Sequence, residues 1–163
     1  MKLDVSRAIA QPGQEFTFQG TQAIADQEMF GSTVRMDECE VEGNYMADDE
    51  GNIAIRGRIE TTAHAPCANC LKDASAKVEN EFDEVFQRNG DPEDDEIFAY
   101  EGHEVDLSKL VMSYAVMALP IRFLCREDCP GFEYTDPEAA PAESGVQYPF
   151  AGLRQLLDQM EEV

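Results

Sequence analysis

Apolar and polar residues alternate most regularly in the second quarter of the chain. Cys39, Val41 and Tyr45 alternate with Glu38, Glu40, Glu42 and Asn44. A turn-forming run follows, Asp48-Asp49-Glu50-Gly51-Asn52, and then Ile53, Ile55, Gly57 and Ile59 alternate with Ala54, Arg56, Arg58 and Glu60. A period of two on both sides of a turn predicts a β-hairpin with one buried face. Val34 and Met36 are out of phase with Cys39 and Val41, so a bulge near Asp37-Glu38 is expected to restore the register. Downstream, Ala74, Ala76, Val78, Phe82 and Phe86 share one parity, while Lys77, Glu79, Glu81 and Asp83 share the other. That pattern predicts another strand, although Val78, Phe82, Val85 and Phe86 also fit a helix.

Weaker signals fill in the rest. Leu3, Val5 and Ala8 suggest an edge strand, Pro12-Gly13 a turn, and Phe16 and Phe18 a half-buried strand. Residues 20–31 read as a loop or a short helix. Residues 91–96 form an acidic, solvated loop, and Ile97-Phe98-Ala99-Tyr100 a short strand. Asp106 is placed to cap a helix whose stripe is Leu107, Leu110, Val111, Tyr114, Ala115 and Ala118. Val116 and Met117 lie off the stripe, so a deeply buried helix is expected, stopped by Pro120. Residues 133–148 are rich in Pro, Ala, Glu and Gly and read as a linker. Pro149 then opens a last helix with Phe150, Leu153, Leu156, Leu157 and Met160 on its apolar side. The expected architecture is therefore α+β: a curved or barrel-like antiparallel sheet of five or six strands with one buried helix. It divides as a domain over 1–132, a linker over 133–148 and a C-terminal helix over 149–163.

Charge narrows the choice of partners. The 163 residues include 34 acidic and 12 basic side chains, a net charge of −22. A surface so negative repels phosphate backbones and favours lysine- and arginine-rich partners. The chain has no run of 18 apolar residues and no apolar leader after Met1, which points to a cytoplasmic protein. In that compartment its five cysteines are expected to be reduced.

Four of those cysteines carry the candidate chemistry. Cys67-Ala68-Asn69-Cys70 follows Pro66, and Cys125-Arg126-Glu127-Asp128-Cys129 precedes Pro130-Gly131. Two tight thiol pairs on turns can supply a tetrahedral set of soft ligands, so Cys67, Cys70, Cys125 and Cys129 are the expected ligands of one structural Zn²⁺. The two pairs are separated by 54 residues, Leu71 to Leu124, longer than in compact zinc modules. A thiol redox role for Cys67 and Cys70 would need the pair at a helix N-terminus after a parallel strand. Cys39 lies on an apolar strand face and reads as core. His64 and His103 are solitary, and no set of catalytic residues assembles around them.

Several of these stretches together are similar to one family. The chain carries Gly57, then Cys67-Ala68-Asn69-Cys70-Leu71, then Asp106-Leu107 opening an apolar helix that ends Ala118-Leu119-Pro120. Leu124-Cys125-Arg126-Glu127-Asp128-Cys129-Pro130-Gly131 follows, and later Tyr148-Pro149-Phe150-Ala151-Gly152-Leu153. Over about residues 15–158 this resembles the YceD family, the large ribosomal RNA subunit accumulation proteins. The resemblance implies a non-enzymatic cytoplasmic factor of large-subunit ribosome biogenesis, needed for 23S rRNA accumulation. Many members continue with a further C-x-x-C-G; here Phe132-Glu133-Tyr134 stands in its place, so the metal expectation rests on the four cysteines present. The charge makes a basic large-subunit protein or pre-ribosomal particle the expected partner. The alternatives are direct rRNA binding, with Arg56 and Arg58 on phosphate, and a thiol redox protein.

Overall fold

A computed structural model of the chain describes residues 1–29, 31–91, 94 and 97–132. The expected linker (133–148) and C-terminal helix (149–163), and most of the acidic loop, lie outside the described residues. The elements are β1 (Lys2–Asp4), α1 (Ser6–Ala10), β2 (Glu15–Gln22), β3 (Gln27–Met29), β4 (Ser32–Met36), β5 (Cys39–Ala47), β6 (Ile53–Pro66), β7 (Asp73–Arg88), β8 (Phe98–Tyr100), β9 (Glu104–Asp106) and α2 (Ser108–Met117).

The long strand β6 organises a seven-stranded sheet. One side of β6 pairs with β7 along its whole length, from Ile53↔Phe86 to Pro66↔Asp73. The other side is shared: β5 takes the half from Ile53 to Glu60, and β4 takes Ala63 and His64. β2 lies beyond β5, β3 beyond β4, and β8 beyond the end of β7. The sheet is open rather than closed into a barrel. Its pairs are antiparallel except β7 with β8, which run parallel. β1 and β9 form a separate two-stranded sheet.

The hairpin, its register and its bulge follow the sequence pattern. Met36 faces Ala63 and Glu40 faces Glu60, so Asp37, Glu38 and Cys39 oppose only Thr61 and Thr62. This extra residue is the bulge that moves Val34 and Met36 onto the same buried face as Cys39 and Val41. The buried Thr61 donates its hydroxyl to the Asp37 carbonyl at 3.0 Å, so the bulge leaves no buried polar group unmatched. In the β5–β6 turn, Asp48 Oδ1 accepts from the backbone N–H groups of Glu50 and Asn52 at 2.9 and 2.8 Å. The Asn52 side chain adds a bond to Oδ2, and these contacts hold the Asp48 carboxyl below its usual range.

The inner face of the sheet carries Ile53, Ile55, Ile59, Val78, Phe82 and Phe86, and α2 covers β6 and β7 with Leu110, Val111 and Ala115. The helix is buried on one side only. Met117 is exposed and Val116 half-buried, which corrects the expectation of a helix enclosed all round. Asp106 acts one residue earlier than a true cap: it ends β9 and its Oδ1 accepts from the Ser108 N–H at 2.9 Å, while Leu107 occupies the cap position.

Three other expectations are corrected. Only β1 of the N-terminal stretch is a strand, and Val5 and Ala8 are buried through the short helix α1 that follows it. Residues 20–31 hold no helix among those described; β2 runs on to Gln22 and β3 forms a hairpin with β4. Among the described residues the sheet has seven strands rather than five or six, since a three-residue strand such as β3 is too short to show a periodicity.

Candidate metal centre

Cys67 to Cys70 form the turn that joins β6 to β7, at the end of the longest ribbon of the sheet. The turn is built by short backbone bonds. The Leu71 N–H donates to the Cys67 carbonyl at 2.9 Å, and the Cys67 N–H donates to the Lys72 carbonyl at 2.7 Å. Leu71 takes a left-handed conformation, φ 58°, which lets the chain reverse after Cys70 and enter β7.

Cys125 and Cys129 lie on the loop that follows α2. The buried Phe123 anchors that loop, and its carbonyl accepts from the Ala68 N–H at 2.8 Å. Asn69 Nδ2 donates to the Cys129 carbonyl at 3.2 Å. Gly131, at φ 80°, passes so close that a side chain there would meet the Asn69 carbonyl at 3.3 Å. Two stretches far apart in sequence are thus held together by backbone and amide contacts as well as by their sulfurs. Asn69, Lys72, Phe123 and Gly131 were not singled out in the sequence, because three of them contribute main-chain atoms and carry no side-chain signature.

The four Sγ atoms all lie within 4.8 Å of one another and can hold a metal ion. Two contacts cross between the pairs: Cys67 to Cys129 at 3.8 Å and Cys70 to Cys125 at 3.6 Å. Backbone N–H groups, that of Cys125 foremost, hold the Cys67 thiol down at about 6, although burial opposes them. The thiols of Cys129 and Cys70 push Cys125 up to about 12. Backbone N–H groups therefore favour one thiolate while the neighbouring thiols resist a second, an imbalance that a cation at their centre would relieve. The Cys67–Cys70 pair sits on a turn between antiparallel strands. It lacks the helix N-terminus that activates redox C-x-x-C pairs.

The remaining candidates sit elsewhere. His64 Nε2 lies 3.1 Å from Asp37 Oδ2 at the bulge. Cys39 is fully buried, and desolvation raises its thiol to about 11. Cys39 is expected to stay unmodified when the folded protein is treated with iodoacetamide and to react once it is unfolded. Mass-spectrometric mapping checks this, and modification in the folded state would show that the strand opens.

An open, mainly antiparallel α+β domain, with four cysteines gathered where its longest hairpin meets the loop behind its helix, is the class these features define. The family model described as "Large ribosomal RNA subunit accumulation protein YceD" matches residues 55–157, more than half of the chain, which belongs to that family. The match begins at Ile55 within β6 and includes all four cysteines of the cluster. No curated protein and no solved structure matches significantly. Among the described residues, no helix is long and apolar enough to cross a membrane.

Proposed function

We propose that this protein is a non-catalytic cytoplasmic factor that supports 23S rRNA accumulation by binding a basic protein of the assembling large subunit. Family membership supports the large-subunit RNA role. The observation that carries the choice of a protein partner is the charge pattern on the open face of the sheet. Glu40, Glu60 and Glu79 stand directly beside one another across β5, β6 and β7, with Lys77 shared between Glu60, at 2.9 Å, and Glu79. In the next rows both arginines offered by the sequence for phosphate contact are already engaged. Arg58 Nε pairs with Glu42 at 2.7 Å, and Arg56 Nε with Asp83 at 2.9 Å. A face with its cations matched and its glutamates in excess attracts a polycation and repels RNA.

The test is a deletion strain in which the ratio of 23S to 16S rRNA and the precursor particles are measured, with capture of partners after RNase treatment. A reduced ratio with a lysine- and arginine-rich protein recovered is expected. A normal ratio would overturn the reading. Reversing Glu38, Glu40 and Glu42 to lysine is expected to slow association roughly tenfold, with a weaker salt dependence. Stopped-flow mixing at two ionic strengths checks this.

In the same reading Cys67, Cys70, Cys125 and Cys129 hold one structural Zn²⁺. A tetrahedral ion with Zn–S bonds of about 2.3 Å separates its sulfurs by about 3.8 Å. The crossed contacts of 3.6 and 3.8 Å match that spacing, and an all-sulfur set suits zinc better than magnesium or calcium. Four sulfurs fill the coordination sphere, so the ion's contribution is to tie the β6–β7 turn to the loop after α2.

A further inference from the structure

Among the described residues, β7 pairs with β8 only at Phe86 to Arg88, and residues 73–85 pair with β6 alone. The side of β7 facing away from β6 is thus a long, open edge. Two hydrogen bonds fix which residues present their main chain to it. The Thr62 carbonyl of β6 accepts from the Asp37 N–H, so Thr62 faces away from β7. Its partner Lys77 therefore faces away from β6, because directly opposed antiparallel residues either both turn inward or both turn outward. The Glu81 N–H, four residues on, is taken by the Asn80 side chain at 3.0 Å rather than by β6. By this alternation Ser75, Lys77, Glu79 and Asp83 offer their backbone N–H and C=O groups at the edge, and Glu81 offers its C=O.

These same residues have their side chains on the exposed face of the sheet. The edge thus joins a row of main-chain groups, unused among the described residues, to three carboxylates at alternate positions: Glu79, which shares Lys77 of the same edge, Glu81, and Asp83, which pairs with Arg56 at 2.9 Å. Its inner side is floored by α2: Asn80 Nδ2 donates to the Tyr114 carbonyl at 3.0 Å, and the Tyr114 hydroxyl donates to Glu84 at 2.6 Å. Edges left open in this way are templates for an added strand.

We propose that β7 is a docking edge that receives an extended, basic segment of a partner protein as an additional strand, in a geometry of alternating cationic and small side chains. The proposal rests on the basic-partner reading above and assigns it a site. Charge complementarity selects the occupant. A strand hydrogen-bonded to the outward-facing residues places its own alternate side chains directly beside Glu79, Glu81 and Asp83, where lysine or arginine forms favourable cross-strand pairs. The intervening side chains turn toward Tyr114 and must be small. A second copy of this chain is disfavoured by its own charge of −22.

The probe is a short synthetic peptide alternating lysine with threonine, added to the full chain. A control peptide of identical charge is N-methylated on the amides that would face β7. Hydrogen exchange and binding are measured together. Strand addition is expected to protect the amides of Ser75, Lys77, Glu79 and Asp83, with the methylated peptide binding at least about tenfold more weakly because several hydrogen bonds are lost at once. Glu79→Pro removes an outward N–H without removing a bond to β6 and is expected to block the peptide. Equal binding of both peptides, or binding without protection of these amides, would overturn the proposal in favour of charge attraction alone. So would protection already present without peptide, or a dimer formed through β7. A normal 23S ratio in the deletion strain combined with strand addition of the peptide would uphold the edge while removing the ribosomal reading.

Discussion

Withdrawing metal from the four-cysteine centre, by chelation or by Cys125→Ser, is expected to lower stability by several kcal/mol. Structural zinc binding contributes roughly 10–16 kcal/mol in small peptides, where it is the folding energy itself. Here the cost should be a fraction of that, because the sheet keeps a core of Ile53, Ile55, Ile59, Phe86 and Val111 whether or not the centre is loaded. What the metal-free protein loses is the tie. The Ala68 and Asn69 hydrogen bonds remain, yet four thiols stay crowded with no cation among them. Loading must expel protons from the thiols, so metal affinity should fall as the pH is lowered. Metal analysis of protein purified without chelator, and urea denaturation of the wild type and Cys125→Ser, provide the check. A metal content far below one equivalent, with the four thiols freely reactive, would refute the centre. Equal stability of the two proteins would reduce the thiols to packing.

The second large effect is expected at the crossing of β5 and β6. Gly43 and Gly57 lie directly opposite each other, and Phe82 of β7 sits opposite Gly57 on the other side. A Cβ added to Gly57 would lie 2.2 Å from the Glu42 carbonyl and 2.7 Å from the Phe82 ring. One added to Gly43 would lie 2.1 Å from the Arg56 carbonyl. These obstacles are mostly main chain and cannot swing aside, so the two strands must part to admit a methyl group. Gly57→Ala is expected to cost about 3 kcal/mol, the upper end for overpacking a core. The exposed control Thr17→Ala should change stability by less than about 0.5 kcal/mol. Denaturation midpoints at equal slope decide the matter, and a Gly57→Ala protein as stable as the control would show that the strands yield.

The sequence was most legible where one strand face was buried and the other wet. Ile53 to Ile59 announced a strand with its direction of burial, and the phase break at Asp37-Glu38 announced a bulge before any pairing was known. The strand from Ala74 to Phe86 could be read for the same reason, although a helical reading competed for it. Legibility failed where elements are too short to express a period. β3 and β9 have three residues each. α1 has five residues and no side-chain cap. The parallel pairing of β8 on β7 joins Phe98–Tyr100 to Phe86–Arg88, a choice of partner and direction that no local pattern encodes. The metal centre was legible as four residue names but not as a shape. Its crossed pairing depends on Phe123, Asn69 and Gly131, and two of these act through atoms that every residue has. The open edge of β7 was invisible for a different reason, since an edge is defined by what does not pair with it.

The pairing of β1 with β9 bears on how the chain is made. Lys2 lies opposite Asp106, and the Met1 carbonyl accepts the Leu107 N–H at the start of α2. β1 leaves the ribosome about a hundred residues ahead of its partner, a wait of roughly 5–20 s at ordinary rates of synthesis. The β5–β6–β7 meander, built from neighbouring segments, can form during that interval. The small sheet therefore closes after the large one, and a strand made early is among the last to find its place.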